Sequence, residues 1–158
     1  RINGTYWMYW GDKPDLRLAV STDLLHWTPL EDETGKLIQA AESRRGTHDV
    51  RLMEPGAYAM LTPAGILLIY NGMNDAKNGD PSLPDGAYAG GQLLFDGNNP
   101  ARLLDRSESY FIRPDQPYET VGQVNQVVFL EGMVPFRGQW FLYYGTADSK
   151  IGVATAKQ

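Results

Sequence analysis

The sequence predicts an all-β protein built from repeated antiparallel sheets in the manner of a β-propeller, with about three blades in the chain. Three observations lead there. First, one pattern recurs: a glycine, a run of aromatic and aliphatic residues, Tyr-x-Gly, and an Asp one to three residues later. It is seen in NGTYWMYWGD from residue 3, AGILLIYNGMND from residue 64 and RGQWFLYYGTAD from residue 137. Its tyrosines are Tyr9, Tyr70 and Tyr143, and a supersecondary unit recurring at such a spacing marks a repeat architecture. Second, the apolar runs are bounded by Gly, Pro, Asn and Asp clusters, which are strand and turn signals. Third, no segment has a persuasive helical period. An ordinary antiparallel protein also makes hairpins of this kind, so the recurrence carries more weight than any single copy.

The elements follow in order. Residues 5–10 and 16–21 form a hairpin across Gly11–Asp15, and the first run is aromatic on both faces, as a strand buried on both sides would be. STDLLHW is a turn that leaves Trp27 ready to pack, with His26 packed beside it. Residues 31–49 are charged and read as loop with a short strand at 36–40. A second hairpin joins 56–62 to 65–70 at Pro63-Ala64-Gly65. Residues 74–86 are rich in Asn, Asp, Gly and Pro and read as an exposed loop. Residues 87–95 and 101–106 are strands. Residues 126–135 and 139–144 form a third hairpin at Arg137-Gly138, with 150–156 as the next strand. DPSLPD and DGNNPARLL can each hold one helical turn.

Closed propellers need about four to eight blades, so three repeats cannot close a ring. Residues 1–158 therefore read as the C-terminal part of a single propeller domain, in which an unclosed ring leaves a blade face and sheet edges exposed.

Bulk properties narrow the chemistry. The chain has 158 residues, 42% of them hydrophobic, enough for a real core. The formal net charge is −5 and no basic run occurs, which argues against a nucleic-acid partner because phosphate neutralisation needs clustered Lys and Arg. No apolar stretch has membrane-spanning length. With no Cys, disulfides and thiolate metal sites are excluded, and the compartment stays open. Two distant histidines give no metal-ligand spacing, and no nucleotide or nucleophile-elbow motif occurs.

In a propeller, polar ligand groups collect where loops follow the inner strands. Asp12, Asn71, Asn74 and Asp148 occupy such positions, although Asp and Asn are also ordinary turn formers. Glu54 stands among Met, Pro, Tyr and Leu in VRLMEPGAYAML. Partial desolvation there raises a carboxyl pKa and suits acid or base work; the competing view is a solvent-facing strand residue. Glu119 and Glu131 are weaker candidates, Glu131 as a polar residue of an outer strand. The RRGTHDVR loop, with Arg44, Arg45, His48 and Asp49, either binds an anion or is a solvated charge cluster. Aromatics with Asp, Asn, Glu and Gln in a groove are the groups that sugar recognition uses.

The runs STDLLHW, EPGAYAMLTPAGILLIYNG, RPDQPYETVGQVNQVVFLEGMV and WFLYYGTADSKIGVA resemble the second half of a glycoside hydrolase family 130 protein. Its most specific pieces are G-x-x-N-x-V-V-F, at Gly122, Asn125 and Phe129, and YYG-x-A-D, at Tyr143 to Asp148. The resemblance implies a five-bladed β-propeller and activity on β-mannosides, by phosphorolysis or hydrolysis. It implies an oligosaccharide substrate and no cofactor, with inorganic phosphate as co-substrate in a phosphorylase. Asp148 is similar to the aspartate that holds the −1 sugar. The family's general acid, an aspartate of the N-terminal half, has no match here. Asn71, Tyr144 and Asn125 are the further sugar contacts expected, and Glu54 is the expected catalytic residue.

The departures from the phosphorylase pattern are informative. Phosphorylases read Tyr-His-Gly where this chain has Tyr70-Asn71-Gly72, a Lys near Leu52, and an Arg where Trp10-Gly11-Asp12 stands. A phosphate dianion needs cationic donors, and three such positions are neutral or acidic. The expectation is inverting hydrolysis with Glu54 as base, against two alternatives: phosphorolysis, and a non-catalytic carbohydrate-binding propeller.

Overall fold

A computed structural model describes all 158 residues. The repeated pattern forms three antiparallel sheets. In the first, β1 (Tyr6–Trp10) pairs with β2 (Asp15–Ser21), and β3 (Thr28–Pro29) and β4 (Gln39–Glu42) share the other edge of β2. In the second, β5 (Leu52–Pro55) and β6 (Met60–Thr62) share one edge of β7 (Gly65–Met73), and β8 (Tyr88–Phe95) and β9 (Leu103–Arg106) follow. The third holds β10 (Val128–Phe136), β11 (Gln139–Thr146) and β12 (Lys150–Lys157). A single helical turn, α1 (Pro117–Thr120), precedes it.

The repeated strands are β1, β7 and β11. Strand β7 explains why its sequence, GILLIYNGM, is apolar without alternation: both of its faces are covered. Ile66, Leu68 and Tyr70 join Tyr9, Leu16, Leu18 and Phe95 in a core between the first and second sheets. Ile69, on the opposite face, joins Ala57, Val128, Leu130, Leu142 and Tyr144 in a core between the second and third. Three sheets stacked through two cores is the arrangement expected of consecutive blades. Beyond them, the outer face of the third sheet leaves Val134, Tyr143, Ile151 and Val153 exposed.

Several local expectations are corrected. The strand expected at 56–62 is two short strands separated by residues 56–59, because the partner edge of β7 is occupied by β5 and then by β6. The short strand at 36–40 lies later, at Gln39–Glu42. The one helical turn forms at PYET, where Pro117 occupies an early helical position and Glu119 closes a capping box with Gln116. His26 is exposed, with an Asp23 carboxylate oxygen 2.7 Å from its Nδ1; Asp23 also accepts from the backbone N–H groups of Leu25 and His26, so the turn is held by hydrogen bonds and needs no packed imidazole.

The tyrosine alignment shifts by one residue in the third sheet. Tyr70 lies opposite Gly91, and a Cβ at Gly91 would sit 2.4 Å from its ring. Tyr144, not Tyr143, stands in the same relation to Gly152, at 2.6 Å. Tyr143 is 43% exposed. In both sheets the buried ring lies over a glycine and its hydroxyl donates to a buried carboxylate: Tyr70 to Asp49 at 2.5 Å, Tyr144 to Glu119 at 2.8 Å.

The Asp49 site replaces the expected anion loop or solvated charge cluster. Asp49 is fully buried and also accepts from Thr47 Oγ1 at 2.6 Å and Arg106 at 2.5 Å. Arg106 donates as well to the carbonyl of Glu42, so one guanidinium binds β9 to the first sheet. Burial alone would raise the Asp49 pKa; Arg106, Thr47 and Tyr70 outweigh it and hold the carboxyl below its ordinary range. His48, also fully buried, stacks on Tyr70 at 5.7 Å and has no hydrogen-bond partner on either ring nitrogen. Burial lowers its pKa, so the folded protein holds it neutral near neutral pH. Gly72 admits this loop: a Cβ there would lie 2.7 Å from the Asp49 Cβ and 2.8 Å from the His48 ring.

Two consequences follow for the full-length protein. Tyr70→Phe removes one donor from a buried carboxylate and should destabilise by about 1–3 kcal/mol in denaturant unfolding. Because the folded pKa of His48 lies below its unfolded value of about 6.5, the unfolded chain takes up the proton first, and stability falls as pH drops below about 6.5. His48→Phe should flatten the pH dependence of unfolding between about pH 6.5 and 5; an unchanged slope would refute that role.

Candidate active site

Four strand ends meet at one end of the stack, and each brings a polar group. Glu54, on β5, lies in register with Asn71 on β7. Asp12 follows β1, and its segment reaches the second sheet through a bridge between Lys13 and Met53. Tyr88 opens β8 and pairs with Met73 and Val127. Asp148 occupies the turn between β11 and β12, exposed and left-handed at φ 49°. Glu131 is the extra residue of a bulge in β10.

The electrostatics of this end are acidic. The Glu54 carboxyl is half-buried, and its pKa is raised first by burial, then by Asp12, then by Glu131; no hydrogen-bond donor offsets these effects. Tyr88 is raised by burial and then by Glu54 and Asp148, with Arg51 opposing. One tyrosine therefore senses Glu54 from the second sheet and Asp148 from the third, and its hydroxyl remains a protonated donor near neutral pH. Its ring lies 5.6 Å from that of Phe129, and both are half-buried. The resulting edge presents carboxylates, one phenol and an aromatic pair, with exposed Arg51 as the nearby cation. Such a set can orient sugar hydroxyls and remove a proton from water.

The other expected sugar contacts are placed differently. Asn71 is fully buried; its amide donates to the Leu130 carbonyl at 3.1 Å and accepts from the Leu130 N–H at 2.7 Å. It acts as a substitute strand edge that joins the second sheet to β10. Tyr144 is 5% exposed, with its hydroxyl on Glu119. Neither reaches a surface that a sugar could touch. Asn125 is exposed, and its Oδ1 accepts from the Gly122 N–H at 3.2 Å. Asn74 is buried and donates to three carbonyls of its own loop, those of Asp80, Leu83 and Pro84. Glu119 serves the capping box, and Glu131, expected on an outer strand, faces the site instead.

The family model for glycoside hydrolase family 130, described as β-1,4-mannooligosaccharide phosphorylase, matches residues 1–158. The chain belongs to glycoside hydrolase family 130. A 1,2-β-oligomannan phosphorylase of Thermoanaerobacter sp. is 29% identical over 154 residues, covering 98% of this chain and 47% of that protein. A glycosyl hydrolase structure from Bacteroides ovatus superposes with a TM-score of 0.95 at 45% identity, over 99% of this chain and 43% of its own. A structure from work on family 130 glycoside hydrolases that target β-1,2 mannosidic linkages in Candida mannan gives a TM-score of 0.95 at 44% identity, covering 99% and 44%. The chain thus spans less than half the length of these family 130 relatives, and its three sheets are those of a propeller-type fold.

Tyr88 is the residue that sequence reasoning missed; Arg51 is the cation the sequence already offers to an anion. The one local signal for Tyr88 was its place at the end of the polar 74–86 loop, where a strand begins. The order of effects on Glu54 yields an expectation. Asp12→Asn should lower the Glu54 pKa more than Glu131→Gln does, as read by carboxyl carbon-13 titration of the full-length protein. Equal shifts would overturn this order, and no shift from either would show that these acids do not face Glu54.

Proposed function

We propose that the protein containing this chain hydrolyses β-mannosidic bonds with inversion, with Glu54 as the general base. The observation that carries this reading is a half-buried carboxyl, raised in pKa by burial and by two further acids, at the end of the stack where Asp148 also lies. A carboxylate poised in this way takes a proton from water more readily than an ordinary glutamate does. The same acids repel a phosphate dianion. Solved relatives at 44% and 45% identity that are described as hydrolases support the reading.

Asp148 holds hydroxyls of the −1 sugar, the Tyr88 hydroxyl donates to the substrate, and the Tyr88–Phe129 pair offers an apolar face to a pyranose ring. Inversion needs a carboxylic acid roughly 6.5–9.5 Å from the base to protonate the leaving oxygen. By the resemblance, that acid belongs to the half of the family's proteins that precedes this one.

A second reading, phosphorolysis, is favoured by the names of the curated relatives, all of them phosphorylases at 26–32% identity. Arg51 is its cation: Arg44 is engaged by Asp49 and the Ser107 carbonyl, and Arg45 by Asn78.

The test of the proposal is Glu54→Gln in the full-length protein. Turnover should fall by about 10²–10⁴-fold, while affinity for mannobiose stays within a few-fold of the wild type. Undiminished turnover would remove Glu54 from the chemistry.

A further inference from the structure

The loop from Val121 to Val127 carries the most specific sequence motif of the chain, yet the proposed chemistry uses none of its residues. Its backbone is bonded on three sides. Toward α1, the N–H of Gln126 donates to the Thr120 carbonyl at 3.2 Å and that of Val127 to the Glu119 carbonyl at 3.0 Å. Toward β8, the Gln126 carbonyl accepts from the Tyr88 N–H at 2.9 Å. Toward the β11–β12 turn, Val124 donates to the Ala147 carbonyl at 3.2 Å, and Val127 accepts from the Ala147 N–H at 3.0 Å.

Side chains close the last contact. Ser149 Oγ accepts from the Gln123 N–H at 2.9 Å and donates to the Ala147 carbonyl at 3.0 Å. Asn125 turns the loop by accepting from Gly122. At Gly122 the loop lies so close to the turn that a Cβ would sit 2.3 Å from the Ala147 carbonyl oxygen and 2.6 Å from Ser149 Oγ.

The turn needs such support. Ala147 and Asp148 are consecutive non-glycine residues at φ 46° and 49°, a left-handed pair that Asp accepts more readily than most L-residues but that is costly at Ala147. Ala147 is fully buried under the loop, whereas Asp148 is exposed.

We infer that the loop 121–127, through Gly122, Asn125 and Ser149, is a clasp that holds Asp148 in its left-handed conformation and sets its distance from Tyr88. These three are positioning residues: none needs to touch substrate, and the motif G-x-x-N is explained by the closeness of its backbone to the turn. The inference rests on the proposed role of Asp148 as a sugar contact. The Glu119–Tyr144 hydrogen bond anchors the clasp, because the Glu119 carbonyl and its carboxylate bind the loop and β11 respectively.

A double-mutant cycle in the full-length protein tests this, with kcat/KM measured on β-1,2- or β-1,4-mannobiose, whichever the wild type cleaves. Ser149→Ala should lower kcat/KM by about 10- to 100-fold, since misplacement of a contact by an ångström has consequences of that size. Ser149→Thr, which keeps the hydroxyl, should restore most of it. In an Asp148→Ala background, Ser149→Ala should lower kcat/KM no further, because the group it positions is gone. If Asp148→Ala is damaging but Ser149→Ala is harmless, or equally damaging in both backgrounds, the clasp is refuted and the sugar contact stands. If Asp148→Ala leaves kcat/KM unchanged, the sugar contact and the clasp fall together.

Discussion

The structure depends on a buried tyrosine that donates its hydroxyl to a buried carboxylate on the chain segment leading into its sheet. Tyr70 and Asp49 form one such pair, Tyr144 and Glu119 the other. An ionised carboxylate inside a protein is tolerable only when donors surround it. Asp49 has Thr47, Tyr70, Arg106 and the Arg44 backbone; Glu119 has Tyr144 and two backbone N–H groups. Each pair therefore forces an inter-sheet connection to lie down on the second strand of the next sheet, and each ring in turn requires a glycine across from it. Stacked sheets have non-directional apolar cores, which alone would permit sliding. The carboxylate pairs supply direction and set the register of one sheet against the next.

That register places the site. Asn71 copies a strand edge for Leu130 and so ties β7 to β10 at the level of Glu54, its neighbour in the ladder. Glu131, one residue beyond Leu130, is pushed out by the bulge and comes within electrostatic reach of Glu54. The histidine-to-asparagine difference from the phosphorylase pattern at position 71 has a structural meaning here: the amide can satisfy both the donor and the acceptor of one residue, which an imidazole in one tautomer cannot do from the same geometry. The asparagine holds the blade contact and places no cation at position 71.

The hairpins were legible because their signals are local. Pro63-Ala64-Gly65 and Arg137-Gly138 lie where the turns form, and the aromatic runs became β1, β7 and β11. The partial burial of Glu54 was legible too, since it stands among Met, Pro, Tyr and Leu in the sequence. The Asp49 network was not, because Tyr70 and Arg106 are 21 and 57 residues from Asp49 in sequence, and Asp49 and Arg106 alone look like surface residues. His26 misled in the opposite direction: LLHW suggests packing, but Asp23 organises the turn by hydrogen bonds and leaves the ring in solvent. The one-residue offset between Tyr143 and Tyr144 follows from which face of β11 each ring takes: Tyr144 is buried over Gly152, whereas Tyr143, opposite Gly132, is exposed, and that is known only once the strands are paired.

We propose that this acidic site makes water, not phosphate, the nucleophile. The direct measurement is the fate of the cleaved sugar when full-length protein acts on mannobiose in oxygen-18 water with phosphate present. Hydrolysis predicts free mannose carrying the label at its anomeric oxygen, at a rate that phosphate does not raise. Mannose 1-phosphate as the product, with a rate proportional to subsaturating phosphate, would contradict it.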